Sequence, residues 1–234
     1  VIKVRADEIN ENDFISAPVD LNIQGRNVSL SDKIKQLHLI VQLSQEEIKE
    51  ITKNKRIREI HKNLKQKSNY CTLTADLKKG KIPVELINDL PNIISIKEKE
   101  SHKFITIPTS LTSDFAEFLG YVMGDGNIGP GYVQISNEDS EIVSRIKELS
   151  KILFNIEAKI VYDKRTKKMY DIKMVSKTLV KVLSIFNLYP GKKGKQLKIP
   201  EEILLSDNET LRAFIRAYFD CDSSPAITRY IELS

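Results

Sequence analysis

The sequence predicts an α+β protein, and two observations carry that reading. From residue 108 onward the pattern runs helix, strand, helix, hairpin, helix, and the start of this stretch recurs about a hundred residues later. Ahead of it, residues 30–98 have the texture of short helices. A small helical domain is therefore expected before the α+β part, itself preceded by a short β segment.

At 234 residues and 41% hydrophobic content, the chain can bury the core of one large or two modest domains. No apolar run approaches the roughly 18 residues of a membrane span, and the first residues lack the basic-then-apolar layout of a signal peptide. A cytoplasmic address without a membrane partner is expected. Cys71 and Cys221 lie far apart, and His38, His61 and His102 have no paired spacing, which argues against a disulfide framework or a zinc site. The net charge of +5 is uneven: residues 143–198 hold fifteen Lys and Arg against four Asp and Glu, a local +11, leaving −6 for the rest. Such a block suits a polyanionic partner or a solvated lysine-rich surface.

Taken in order, "VIKVRADEINENDFISAP" alternates like a small β piece over residues 1–18, and residues 19–29 look like a linker. Without an initiating Met, the chain is expected to begin inside a longer polypeptide. Ser44 and Glu47 form a capping box, and Ile48, Ile51, Ile57, Ile60 and Leu64 fit one helical face or two short helices. A further helix from Tyr70 to Lys79 closes at Gly80, and "KIPVELIN" starts another with Pro83 at its first position. Joined by the basic "KNKRIREIHKNLKQK", these suit either a helix-turn-helix DNA reader or an ordinary bundle, so residues 19–107 read as linker and helices. Next come a helix at 112–124, the strand "GYVQIS", and an amphipathic helix at 138–154 with Ile142, Ile146, Leu149 and Leu153 inward. Strands "EAKIVYD" and "MYDIKMV" then flank the basic turn "KRTKK", and a helix at 176–188 ends near Pro190.

The repeat is the sharper signal. "LRAFIRAYFDCDSSPAITRYIELS" echoes "SDFAEFLGYVMGDGNIGPGYVQIS": displaced by 97, Ala116, Gly120 and Gly124 fall on Ala213, Ala217 and Cys221, and Asp125 falls on Asp222. A spacing of four puts each set of small residues on one helical stripe. Interior glycine costs about 1 kcal/mol relative to alanine, so a packing reason is expected. Two such stripes can face each other with backbones nearly touching. Helices paired in the same direction would bring Asp125 and Asp222 together at their C-terminal ends. Two adjacent carboxylates need a proton or a cation, and carboxylates, carbonyls and water are the ligands Mg2+ takes. The expected ligands are Asp125 and Asp222 with the carbonyls of Gly124 and Cys221, holding Mg2+ or Mn2+. Beside a basic surface, such a metal suits phosphodiester hydrolysis. The plainer alternative is that Asp125-Gly126 merely turns the chain.

These residues resemble the LAGLIDADG, or dodecapeptide, homing endonuclease family. "FLGYVMGDG" resembles its first motif and "IRAYFDCDS" its second, although Met123 and Ser223 depart from the pattern; the similarity covers residues 108–234. The opening "VRADEINENDFISAP" also resembles the segment preceding the endonuclease insert of inteins, which would make residues 1–18 a remnant of a splicing domain. The resemblance implies paired αββαββα units, the first at 108–190 and a truncated second at 191–234. It implies that Asp125 and Asp222 bind the metal, and that a lysine in "GKKGKQLKIP", Lys198 or else Lys195, organises the attacking water. It further implies a DNA-facing sheet surface carrying Gln134, Lys159, Tyr162, Lys164, Arg165, Lys167, Lys168, Lys173, Arg229 and Glu232.

The expected function is thus a site-specific endonuclease cutting double-stranded DNA at a long recognition site, within an intein whose host exteins are further partners. A dimer is expected if the second unit is truly incomplete. The alternatives are a DNA- or RNA-binding module that has lost cleavage, and a degenerate intein scaffold.

Overall fold

The computed structural model describes residues 25–52, 57–63, 69–162, 170–191, 197–225 and 231–233. The β piece expected over residues 1–18 lies outside them.

Short helices do occur where the capping signals place them. Helix α1 spans Ser31–Gln36, strand β1 Ile40–Gln42 and helix α2 Gln45–Ile51; at the last, the Ser44 side chain accepts from the Glu47 amide while the Glu47 carboxylate accepts from the Ser44 amide. Helices α3 (Ile57–Asn63) and α4 (Tyr70–Lys78) follow, and α4 stops at Gly80, whose φ of +78° a side-chain-bearing residue rarely adopts.

The region up to residue 107 is not simply helical, however. "KIPVELIN" forms strand β2 (Lys81–Pro83) and a single 3-10 turn rather than a helix, and two further strands, β3 (Ile93–Lys97) and β4 (Ile105–Pro108), stand where no strand was expected. Together they make a four-stranded antiparallel sheet in the order β2-β1-β3-β4. The reason is the period: Ile94 and Ile96 are buried while Ile93, Ser95 and Lys97 are not, an alternation of two that only a strand can bury.

Beyond residue 108 the order is helix α5 (Ser113–Gly124), strands β5 (Gly126–Gly129) and β6 (Tyr132–Asn137), helix α6 (Ser140–Phe154), strands β7 (Lys159–Tyr162) and β8 (Tyr170–Val175), and helix α7 (Lys177–Leu183). The strands form a second antiparallel sheet, β5-β6-β8-β7. Helices α8 (Glu201–Leu204) and α9 (Asn208–Asp222) and a hairpin, β9 (Ser223–Pro225) with β10 (Ile231–Leu233), complete the described chain. The protein is α+β.

One contiguous apolar core joins the two sheets. Its centre is α5, which buries Phe115, Phe118, Leu119 and Val122 completely. Phe115 meets the edges of Phe154 and Phe186 at centroid distances of 5.6 and 5.3 Å, fastening α5 to α6 and to the turn after α7. Among the described residues no helix is long and apolar enough to cross a membrane.

Candidate functional site

Helices α5 and α9 approach each other backbone to backbone. A Cβ added at Gly120 would lie 2.6 Å from the Phe214 carbonyl oxygen and 2.8 Å from the Ala217 Cβ; one added at Gly124 would lie 2.4 Å from the Cys221 Cβ. Only hydrogen at these positions lets the backbones come so near. Because Gly120 meets residues 214–218 and Gly124 meets residues 218–221, the helices run in the same direction. Ala116 and Ala217 are buried with them, whereas Ala213 is half-exposed. The Phe214 and Tyr218 backbones form part of the contact, which the small-residue stripe alone did not indicate.

Asp125 caps the C-terminus of α5, its amide donating to the Tyr121 carbonyl at 3.1 Å. Its carboxylate Oδ2 accepts a 2.9 Å hydrogen bond from Asn137 Nδ2. Asn137 is buried at the end of β6, and its own Oδ1 accepts from the Asp139 amide, the residue that caps α6. One amide side chain therefore ties the acid at the end of α5 to the start of α6. Nothing in the repeat points to Asn137; the signal in the sequence is its place two residues before the capping Asp139. Asp222 is the last residue of α9, next to Cys221, which packs on Gly124. The Asp222 side chain lies outside the described residues, and among those described no group of three or more His, Cys, Asp and Glu is assembled.

The flank of this helix pair is acidic. Arg145 on α6 pairs with Asp114 and Glu117 of α5 at 2.7 Å each and with Glu148 at 2.9 Å, contacts that hold its guanidinium protonated more firmly than usual. Burial pushes the Tyr121 hydroxyl up, reinforced by Glu117, to which it donates at 3.3 Å. The Asp220 carboxyl is also raised, first by burial; Arg216 opposes this, while Glu117 and Asp139 add to it. Removing the central cation in Arg145→Met should leave three carboxylates facing one another. At this half-exposed site the expected cost is about 1 kcal/mol. A urea-unfolding midpoint should show it, with the effect shrinking in high salt.

The second sheet presents a polar outer face. Strand β6 buries Val133, Ile135 and Asn137 and turns Tyr132, Gln134 and Ser136 outward. Cross-strand register then places Asn127, Gln134, Lys173 and Lys159 in one row. Lys173 lies with its ammonium 4.0 Å from the Tyr132 ring centroid, and Ser136 Oγ donates to Asp171 at 2.6 Å in the next row. Tyr162 is on the opposite face from this row: period two separates it from Lys159, and it pairs with Tyr170, ring centroids 5.2 Å apart. Tyr162 therefore cannot share one surface with Gln134, Lys159 and Lys173. Lys198 stands exposed three residues before α8, and no described hydrogen bond or ion pair positions it. Lys164, Arg165, Lys167, Lys168, Lys195 and Arg229 lie outside the described residues, as does the side chain of Glu232.

No family model matches the chain. It is 40% identical over 129 residues to an A-type ATP synthase subunit of Pyrococcus abyssi, a match covering 55% of this chain and 12% of that protein. With the same-named protein of Pyrococcus horikoshii it shares 35% over 124 residues, 53% of this chain and 13% of the other. With the replication factor C small subunit of Methanocaldococcus jannaschii it shares 33% over 157 residues, 66% of this chain and 8% of the other. The chain thus spans about an eighth or less of each of these three relatives. These findings correct the family resemblance drawn from "FLGYVMGDG" and "IRAYFDCDS": the LAGLIDADG assignment is overturned by the absence of a matching model and by relatives of other names. The physical reason is that a stripe of small residues is a demand of close helix packing, which any tightly paired helices make, so it does not by itself mark a family. The chain is similar to a segment carried within an A-type ATP synthase protein of two Pyrococcus species.

Proposed function

We propose that the chain is the DNA-cleaving part of an inserted, intein-like segment, a divalent-metal-dependent endonuclease acting on duplex DNA in the cytoplasm. The observation that carries this reading is the contact of Gly124 with Cys221, which sets the ends of two same-direction helices, each ending at an aspartate, side by side. Helix C-termini contribute partial negative charge, and the donor set is all oxygen: the carboxylates of Asp125 and Asp222 and the carbonyls of Gly124 and Cys221. That oxygen set fits Mg2+ or Mn2+. Bound there, the ion would lower the pKa of a water and stabilise the leaving oxygen.

The chain's own residues do the rest. Asn137 fixes the orientation of the Asp125 carboxylate through Oδ2, as outer-shell partners of ligands do. Lys159, Lys173 and Gln134 offer cationic and hydrogen-bonding groups to a polyanion along the sheet. The insertion reading is supported by the relatives: a shared segment of 8–13% in proteins named for ATP synthesis and for replication factor C is not what those names have in common. The flanking host sequences would then be the exteins.

The test is to incubate the protein with a library of randomised duplexes and sequence the cut ends. Recurrent cutting at one sequence with Mg2+ or Mn2+, abolished by chelation, is expected. Duplexes bound but never cut with either ion would overturn the nuclease reading in favour of a binding module. Asn137→Ala should weaken Mn2+ binding, measured calorimetrically, by about 10–100-fold. An unchanged affinity would remove Asn137 from the site.

A further inference from the structure

An open groove of about 900 Å³ lies between the β3–β4 turn and the outer face of the second sheet. Lys103, Lys159, Lys173 and Lys177 line it, against Glu100 and Glu157. Glu157 is already paired with Lys151 at 2.5 Å, so the groove is predominantly cationic. Two of the four lysines belong to the sheet row already described; Lys103 comes from the β3–β4 turn and Lys177 from the start of α7.

The β3–β4 turn is held in shape. Lys97 Nζ donates to the Ser101 carbonyl at 2.7 Å, the Ser101 amide to the Glu98 carbonyl at 2.9 Å, and Ser101 Oγ to the Lys103 carbonyl at 3.2 Å. The ammonium groups of Lys97 and Lys81 lie 5.6 and 5.9 Å from the Phe104 ring centroid. The turn is also fastened to the downstream unit, because the Glu98 amide donates to Thr178 Oγ1 at 3.0 Å and Glu98 pairs with Lys181 at 3.7 Å. Lys103 is thereby presented, exposed, on a turn fastened to α7.

We infer that this groove, between the β3–β4 turn and the second sheet, binds the phosphate backbone of duplex DNA outside the cleavage site, with Lys103 and Lys177 as the contacts the sheet does not supply. This rests on the proposed function. The groove adjoins β6 at Gly131, and Tyr132 is four residues from Ser136, whose amide faces the Asp125 carbonyl. At about 3.3 Å per residue the separation is roughly 13 Å. Such phosphate contacts set the position of the duplex without reading its sequence.

The experiment is fluorescence anisotropy of a labelled duplex of arbitrary sequence with the full chain, over about 50–200 mM salt. Lys103→Ala/Lys177→Ala should lower the slope of log affinity against log salt by about 1.8, at about 0.9 per lost phosphate contact. Lys147→Ala, on α6 behind the same sheet, should leave the slope unchanged. If the parent binds duplex and the double variant keeps its slope, the groove is only a solvated surface and this inference falls while the proposed function stands. If the parent does not bind duplex, both fall. A loss confined to an RNA probe would also overturn it.

Discussion

Gly120→Val is expected to lower the melting temperature by roughly 6–12 °C. Any Cβ at this position meets the Phe214 carbonyl oxygen at 2.6 Å and the Ala217 Cβ at 2.8 Å. A backbone oxygen cannot rotate aside as the end of a side chain can, so α5 and α9 must separate. Valine adds two methyl groups to that clash. Overpacking a tight core costs about 3 kcal/mol at the upper end of the usual range, and in a chain of this size each kcal/mol shifts the midpoint by about 2–4 °C. Gly131→Ala is the control, because its nearest neighbour would be Lys177 Cγ at 3.5 Å, an ordinary contact. A melting curve for Gly120→Val that overlays the parent's would show that the helix pair does not hold the fold together.

Asp125→Asn should abolish metal-dependent cleavage while leaving the fold intact. The substitution is nearly isosteric and keeps an oxygen for the 2.9 Å hydrogen bond from Asn137 Nδ2. It removes the negative charge, and with it most of the attraction for a hard divalent cation. Losing a direct ligand should exceed the roughly 10–100-fold cost of losing an outer-shell partner, so cleavage should fall by more than about 100-fold. Calorimetric Mn2+ affinity should fall in parallel. The metal-free melting temperature should hold or rise slightly, since one of two neighbouring acids has been neutralised. Cleavage at the parent's rate, still dependent on Mg2+, would eliminate Asp125 as a ligand.

How far the residues alone reveal the fold differs by element. The capping box at Ser44 and Glu47 and the stop at Gly80 are local chemistry, complete within a few residues, and they are legible. So is the inward face of α6, where Ile146, Leu149 and Leu153 repeat at helical spacing and are buried. Strand β2 is not, because "KIPVELIN" satisfies a helix start at Pro83, yet the strand exists by pairing across the sheet, Ile82 opposite Val41. That partner is 41 residues away, and local propensity does not contain it. The face on which Tyr162 sits is not legible for a related reason: its side depends on register with Tyr170 on the neighbouring strand.

By itself, then, the sequence determined a spacing of four between small residues on each of two stretches, the acids that follow them, and the basic block at residues 143–198. These are properties of residue type and interval, which folding cannot alter. Only the tertiary structure decided which way the two helices run, that Asn137 reaches Asp125, and that Lys103 and Lys177 share a groove with Lys159 and Lys173. Each of those depends on contacts between segments distant along the chain, whose geometry is set by packing around the common core rather than by the residues at the contact.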